Sequence, residues 1–278
     1  MCWLGQVSRS GYYRYWRRSE PAGEELSLRA KIHEIVFSHR YYGYRRITAD
    51  LREKGCAVNH KRVARLLRLD GLQALRPKRW VKTTESRHGF AVFANRLRST
   101  QASGPDQIWI ADITYLPIRN GFVYLAVVLD AWSRRVVGWA LAEKMTTGLI
   151  RSALEQAIAE RQPPPALLHH SDRGVQYASQ EYVRLLSRHG MVGSMSRRAN
   201  PYDNARCESF FKTLKKEAEA SAHDSASHWR LRLESYLDYY NRTRRHSALS
   251  YQSPMQYEES GAQSVLDPSN PPEEFIQA

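Results

Sequence analysis

The chain is poor in cysteine: Cys2, Cys56 and Cys207 are the three in its 278 residues. A scattered, odd set argues against a disulfide framework and fits a reducing cytoplasm. No Cys/His spacing resembles a zinc site. No apolar run reaches the ~18–20 residues that a membrane span needs. The opening Met1-Cys-Trp-Leu-Gly lacks a charged segment followed by a long apolar one, so neither a signal peptide nor a membrane partner is expected. Heptad runs are absent as well. Acidic charge is scarce in one part only. Residues 1–100 carry 22 Lys and Arg against 8 Asp and Glu, whereas residues 101–278 carry 20 of each. The whole formal net charge of +14 therefore sits in the first third. A basic module joined to a neutral one suggests a polyanion binder attached to a domain with another task. An inert basic surface is the plain alternative.

Length and a 42% hydrophobic content allow two domains. Four parts are expected: a basic helical region over 1–75, a basic linker over 76–104, an α/β domain over 105–258 and a flexible tail over 259–278. In the first part, aromatics and arginines interleave around Tyr12, Tyr13 and Trp16. They suit stacking on a nucleic-acid strand or packing in a short helix. Apolar spacing at Leu26, Ala30, Ile32, Ile35 and Val36 predicts a helix over 24–37. A second is expected over 45–54, ended by Gly55, and a third over 60–69, capped by Asn59. Two short helices and a tight turn suggest a helix-turn-helix whose DNA face carries Lys61, Arg62, Arg65 and Arg68. A helical hairpin with a solvated basic face fits the same pattern.

The second part opens with strands. Residues 108–116 alternate, Arg119-Asn-Gly is a hairpin turn, and further strands are expected over 122–130 and 134–140. A helix over 146–161 stops at Gln162-Pro-Pro-Pro. A buried strand ending at Ser171 delivers Asp172. A helix capped by Ser179 and a short strand over 192–195 follow. Pro201, Asp203 and Asn204 open the helix that carries Glu208, and a long helix covers 227–241. The order βββ-α-β-α-β-α predicts a ribonuclease-H-like α/β fold, with acids at strand ends and on a late helix.

Asp112 ends the apolar run Gln107-Ile-Trp-Ile-Ala-Asp. A carboxylate there is costly unless it is paired or metal-bound. Asp172 lies in His-His-Ser-Asp-Arg-Gly-Val-Gln-Tyr, and Glu208 follows it after 35 residues. Three such acids suit Mg²⁺, which takes oxygen ligands and phosphate oxygens. Two ions ~3.5–4 Å apart drive in-line phosphoryl displacement, with Asp112 the candidate bridge. Each acid alone is more simply solvated or a turn residue. Lys212 and Lys215 follow Glu208 at i+4 and i+7 on one helix face. On spacing alone they make a solvated Glu–Lys pair. His169 and His170 read as imidazoles packed at a strand end, and Cys207 as a small packed residue. Arg242, Arg244, Arg245 and His246, past the long helix, are expected near DNA or the active site.

Four segments together resemble a known family. They are Trp109-Ile-Ala-Asp-Ile-Thr-Tyr, His170-Ser-Asp-Arg-Gly-Val-Gln-Tyr, Asp203-Asn-Ala-Arg-Cys-Glu-Ser-Phe-Phe-Lys-Thr-Leu-Lys and Tyr240-Asn-Arg-Thr-Arg-Arg-His-Ser-Ala-Leu. The chain resembles the second-frame protein (OrfB) of insertion-sequence transposases of the IS-three family, whose core is similar to retroviral integrase. The resemblance implies an integrase catalytic core with Asp112, Asp172 and Glu208 as a metal-binding DDE triad. It implies Mg²⁺, two ions, with Mn²⁺ as a substitute. DNA would be cut by water and joined by a 3′-hydroxyl, with no covalent protein–DNA intermediate. Lys215 matches a basic residue that contacts the element end; Lys212, Arg242 and Arg245 are further candidate contacts. Expected partners are element ends and target DNA, a homo-oligomer on DNA, and an upstream-frame (OrfA) protein or fusion, in the bacterial cytoplasm and nucleoid. The competing reading is a DNA-binding or regulatory half, inactive alone. A nuclease for RNA–DNA hybrids fits poorly, because an A-form major groove excludes such a helix.

Overall fold

The computed structural model describes residues 8–10, 12, 23–72, 74, 93–197, 204–218 and 225–266. Tyr13, Trp16, the linker over 76–92, Pro201, Asp203 and the tail past 266 lie outside them. The chain divides into two compact units, residues 1–78 and 79–278.

The first unit holds three helices: α1 (Gly23–Ser38), α2 (Tyr44–Glu53) and α3 (His60–Leu69). Ile32 and Ile35 of α1, Ile47 and Leu51 of α2, and Val63 and Leu66 of α3 share one core, each 1% exposed or less. Asn59 caps α3, its Oδ1 accepting the Lys61 N–H at 2.8 Å. Gly55 and Gly71 sit at φ +78° and +68°, a left-handed turn that glycine makes without strain.

The second unit is built on β1 (Ile108–Ile118), β2 (Gly121–Asp130), β3 (Val136–Ala142), β4 (Leu168–Ser171) and β5 (Val192–Met195). The sheet order is β3-β2-β1-β4-β5. The first three strands form an antiparallel meander, and β4 and β5 join β1 in parallel. Helices α4 (Thr147–Arg161) and α5 (Gln180–Arg188) cover one face. Helices α6 (Ala205–Glu217) and α7 (Ala226–Arg242) cover the other. This is the ribonuclease-H-like order expected from the sequence. Strand periodicity sorts the two cores: Ile108 and Ile110 face α6 and α7, while Trp109 and Ala111 face α4 and α5. Trp229 of α7 is fully buried and donates its indole N–H to the Pro117 carbonyl at 2.8 Å. Asn241 closes the α7 end by pairing both amide atoms with the Val136 backbone, at 2.9 and 3.0 Å.

Two expected boundaries are corrected. Residues 93–104 are not linker. A side chain at Gly193 would meet the Phe93 ring at 2.9 Å, the Arg96 N–H is bonded to Ser194 Oγ at 3.0 Å, and Leu97 and Ala102 pack on the core. The segment lies on the sheet because apolar side chains and a paired amide hold it there. The tail does not begin at 259 either, since α8 (Pro254–Leu266) runs across that position. Glu258 anchors it by ion pairs to Arg135 (3.0 Å) and Arg161 (2.9 Å), and Tyr257 packs on Trp132 with ring centroids 4.7 Å apart.

Candidate active site

Asp112 follows the pleat of β1 onto the face covered by α6. Helix α6 lies directly on this strand: buried Cys207 donates its thiol to the Ile110 carbonyl at 3.6 Å. One turn of helix thus brings Asn204 and Glu208 to the Asp112 level. On the other side, β4 runs parallel to β1 with Ser171 opposite Ala111. Asp112 and Asp172 are each the next residue, so strand register sets the two residues side by side.

Asp112 is half-buried and held at both oxygens. Oδ1 accepts the Ile113 N–H at 2.8 Å, and Oδ2 accepts Nδ2 of Asn204 at 2.8 Å. Its pKa lies well above the ordinary carboxylate range. Burial is the main cause, followed by the negative field of Asp172 and, more weakly, that of Glu208; the Ile113 N–H and Lys215 oppose them. Asp172 is steadied by the turn after β4, where its Oδ1 accepts the Gly174 N–H at 2.9 Å. Glu208 is exposed in the first turn of α6. Among the described residues, no three acidic, histidine or cysteine side chains stand close enough to hold a metal ion together. The donor set is all hard oxygen, and the crowding of like charge around Asp112 is of the kind that a small cation relieves. The residues therefore fit Mg²⁺ in chemistry.

The remaining predicted residues divide. Lys215 is half-buried two turns beyond Glu208, its Nζ 4.4 Å from the Tyr115 ring centroid. Burial lowers its pKa and the Asp112 field opposes this. Lys212 is exposed on the same helix. Arg242 is exposed and bonded to Asp238 one turn back at 2.7 Å. Arg245 donates to the Tyr251 carbonyl at 3.1 Å. Arg244 and His246 are corrections: both are buried. Arg244 forms a two-pronged pair with Glu217 at 2.6 and 2.8 Å, because the chain folds back over α6 there. His169 and His170 are buried packing groups, bonded to Tyr182 (3.0 Å) and to Ser194 and Ser196 (2.9 and 3.0 Å). In the first unit Lys61, Arg62, Arg65 and Arg68 are all exposed on α3, with Arg62 and Arg65 3.8 and 3.0 Å from Glu25.

In the sequence Asn204 reads only as the start of a helix. Its side chain makes no cap bond and serves Asp112 instead. Its place four residues before Glu208, within Asp-Asn-Ala-Arg-Cys-Glu, was the available signal.

Comparison with known proteins bears on this arrangement. Residues 23–80 match an HTH-like domain family, and residues 102–201 and 189–254 match two integrase core domain families. "Transposase InsF for insertion sequence IS3A" of Escherichia coli (strain K12) is 40% identical over 93% of this chain and 92% of its own length. The chain belongs to the IS-three family of insertion-sequence transposases. "Insertion element IS600 uncharacterized 31 kDa protein" of Shigella sonnei is 38% identical over 93% of this chain and 97% of its own length. Among solved structures, the HTLV-2 integrase catalytic core domain in complex with magnesium (trimeric form) is 21% identical, with a TM-score of 0.45 over 56% of this chain and 97% of that one. As a member of this family the chain has the function of a DNA transposase with an integrase core. The binding-only reading is not favoured, since the IS3A relative, matched over 92% of its length, is itself named a transposase. No helix among the described residues is long and apolar enough to cross a membrane.

Proposed function

We propose that this transposase cuts and joins DNA at Asp112, Asp172 and Glu208, which together hold divalent metal. Mg²⁺ is the ordinary ion and Mn²⁺ its substitute. The observation that carries the reading is the strand register. It sets Asp112 beside Asp172 at the end of the β1–β4 pair, under the helix that bears Glu208. Metal held there would supply activation of the attacking oxygen and stabilisation of the leaving one. Asp112, which lies in the negative field of both other acids, would be a ligand of the metal. Ile113 and Asn204 fix its orientation, and Gly174 fixes that of Asp172. The half-buried Lys215 supplies positive charge beside the site for a DNA phosphate, and Lys212 does so further out.

The exposed cations of α3 are proposed to hold DNA, with Lys61, Arg62, Arg65 and Arg68 as contacts. Arg242 suits the same role, because an exposed pair with Asp238 is worth little and exchanges readily for phosphate. Arg245 is the weaker candidate, its guanidinium being engaged with the Tyr251 carbonyl. Element ends and target DNA are the substrates. A homo-oligomer assembled on DNA, an upstream-frame partner and a place at the bacterial nucleoid complete the proposal. Asp112→Asn tests it: the variant is expected to bind element-end DNA as the wild type does and to lose strand transfer. Equal loss of both activities would overturn the metal-site assignment.

A further inference from the structure

Asn204 stands out among the buried polar groups. It is 7% exposed, and its Nδ2 donates to Asp112 Oδ2 at 2.8 Å. Its own Oδ1 is buried with no hydrogen-bond partner among the described residues. A buried acceptor left without a partner is costly. The residue stands at the N-cap of α6 yet makes no cap bond, so helix initiation does not explain it. What its amide does is tie the β1 acid to the helix that carries Glu208. The two oxygens of Asp112 are then each held by one N–H, from Ile113 and from Asn204, and the carboxylate plane is set.

From this geometry we infer that Asn204 is a positioning residue that presents Asp112 to the metal and couples it to Glu208. The inference rests on the metal-site reading above. Partners of this kind, bonded to a ligating group, typically contribute 10–100-fold in metal affinity. Cys207 packs the same helix on the same strand through the Ile110 carbonyl, and supplies the contrast.

The test is Mn²⁺ binding to the full chain without DNA, followed by the paramagnetic resonance signal of free Mn²⁺. Serine is as good an N-cap residue as asparagine, but its shorter side chain does not reach Asp112. Asn204→Ser is therefore expected to fold and melt as the wild type does and to bind Mn²⁺ about tenfold more weakly or worse. Cys207→Ala is expected to stay within about twofold of the wild type, as a residue with no bond to the ligand should. Wild-type affinity in a folded Asn204→Ser, or an equal loss in Cys207→Ala, would overturn the inference. Asp112→Asn separates the two levels: if it too binds Mn²⁺ as the wild type does, the site reading itself falls. A wild-type measurement covers variants that do not fold. The Asn204 side-chain amide resonance should be protected from solvent exchange and should shift on adding Mg²⁺. An amide that exchanges freely and ignores the ion would refute the role.

Discussion

His169 shows how one buried side chain sets a pH limit. It is 1% exposed and bonded to the Tyr182 hydroxyl at 3.0 Å. Burial, with help from neighbouring His170, pulls its pKa from 6.5 down to about 3. Between those values the unfolded chain binds a proton that the folded chain refuses. Stability from this group is thus full above pH 6.5 and is lost as pH falls toward 3, by at most about 1.4 kcal/mol per pH unit. His169→Leu removes the titration. Its stability against urea should decline less steeply than the wild type's between pH 6.5 and 4, and an unchanged slope would discount His169 as an acid-sensitive group. Gly138 makes a steric case at the same scale. A Cβ there would lie 2.2 Å from the Ala153 carbonyl oxygen and 2.8 Å from Ala157 Cβ. Gly138→Ala must push α4 off β3 and should cost about 1–3 kcal/mol in thermal or urea unfolding.

At the scale of elements, the C-terminal turn of α6 is pinned by the pair Glu217–Arg244, 7% and 3% exposed at the side chain. The Tyr236 hydroxyl also donates to Glu217, at 3.3 Å. Arg244→Leu leaves a carboxylate buried and unpaired, and should destabilise by about 3–5 kcal/mol. The double replacement Glu217→Leu with Arg244→Leu should recover much of that loss, because no charge is then stranded. Urea titrations of the two variants decide this, and an equally unstable double variant would contradict it. This pair was not legible in the sequence. Periodicity foresaw α7, but Tyr-Asn-Arg-Thr-Arg-Arg-His after it looked like a basic patch facing outward. Only the return of the chain over α6 turns Arg244 inward. The same limit hid α8: Glu258 is unremarkable until Arg135 and Arg161 stand opposite it. By contrast, the five strands and Asn59 as a cap were readable, because alternation and turn chemistry are local.

At the scale of the molecule, the first unit carries 17 Lys and Arg against 7 Asp and Glu, most of the formal net charge of +14. If the basic first unit neutralises several phosphates, binding to element-end DNA should weaken about 10³–10⁵-fold between 50 and 200 mM salt. A flat salt dependence, read by fluorescence anisotropy, would remove that unit from the DNA interface. The candidate site was legible for a different reason from the strands. Asp112 is an acid inside an apolar run, Asp172 and Glu208 join it as further acids at a strand end and on a late helix, and the family resemblance makes the three a triad. Register then sets Asp112 beside Asp172, which no spacing rule contains. Asn204 stayed hidden because its bond crosses from α6 to β1, 92 residues apart in sequence.

The most direct measurement is strand transfer by the purified chain on a labelled, pre-cut element end with Mg²⁺, beside Glu208→Gln. Joined product from the wild type and none from the variant is the expected result. Joining that survives in Glu208→Gln would contradict the three-acid site. Binding without joining by the wild type, in Mg²⁺ and Mn²⁺ alike, would contradict activity in this chain alone.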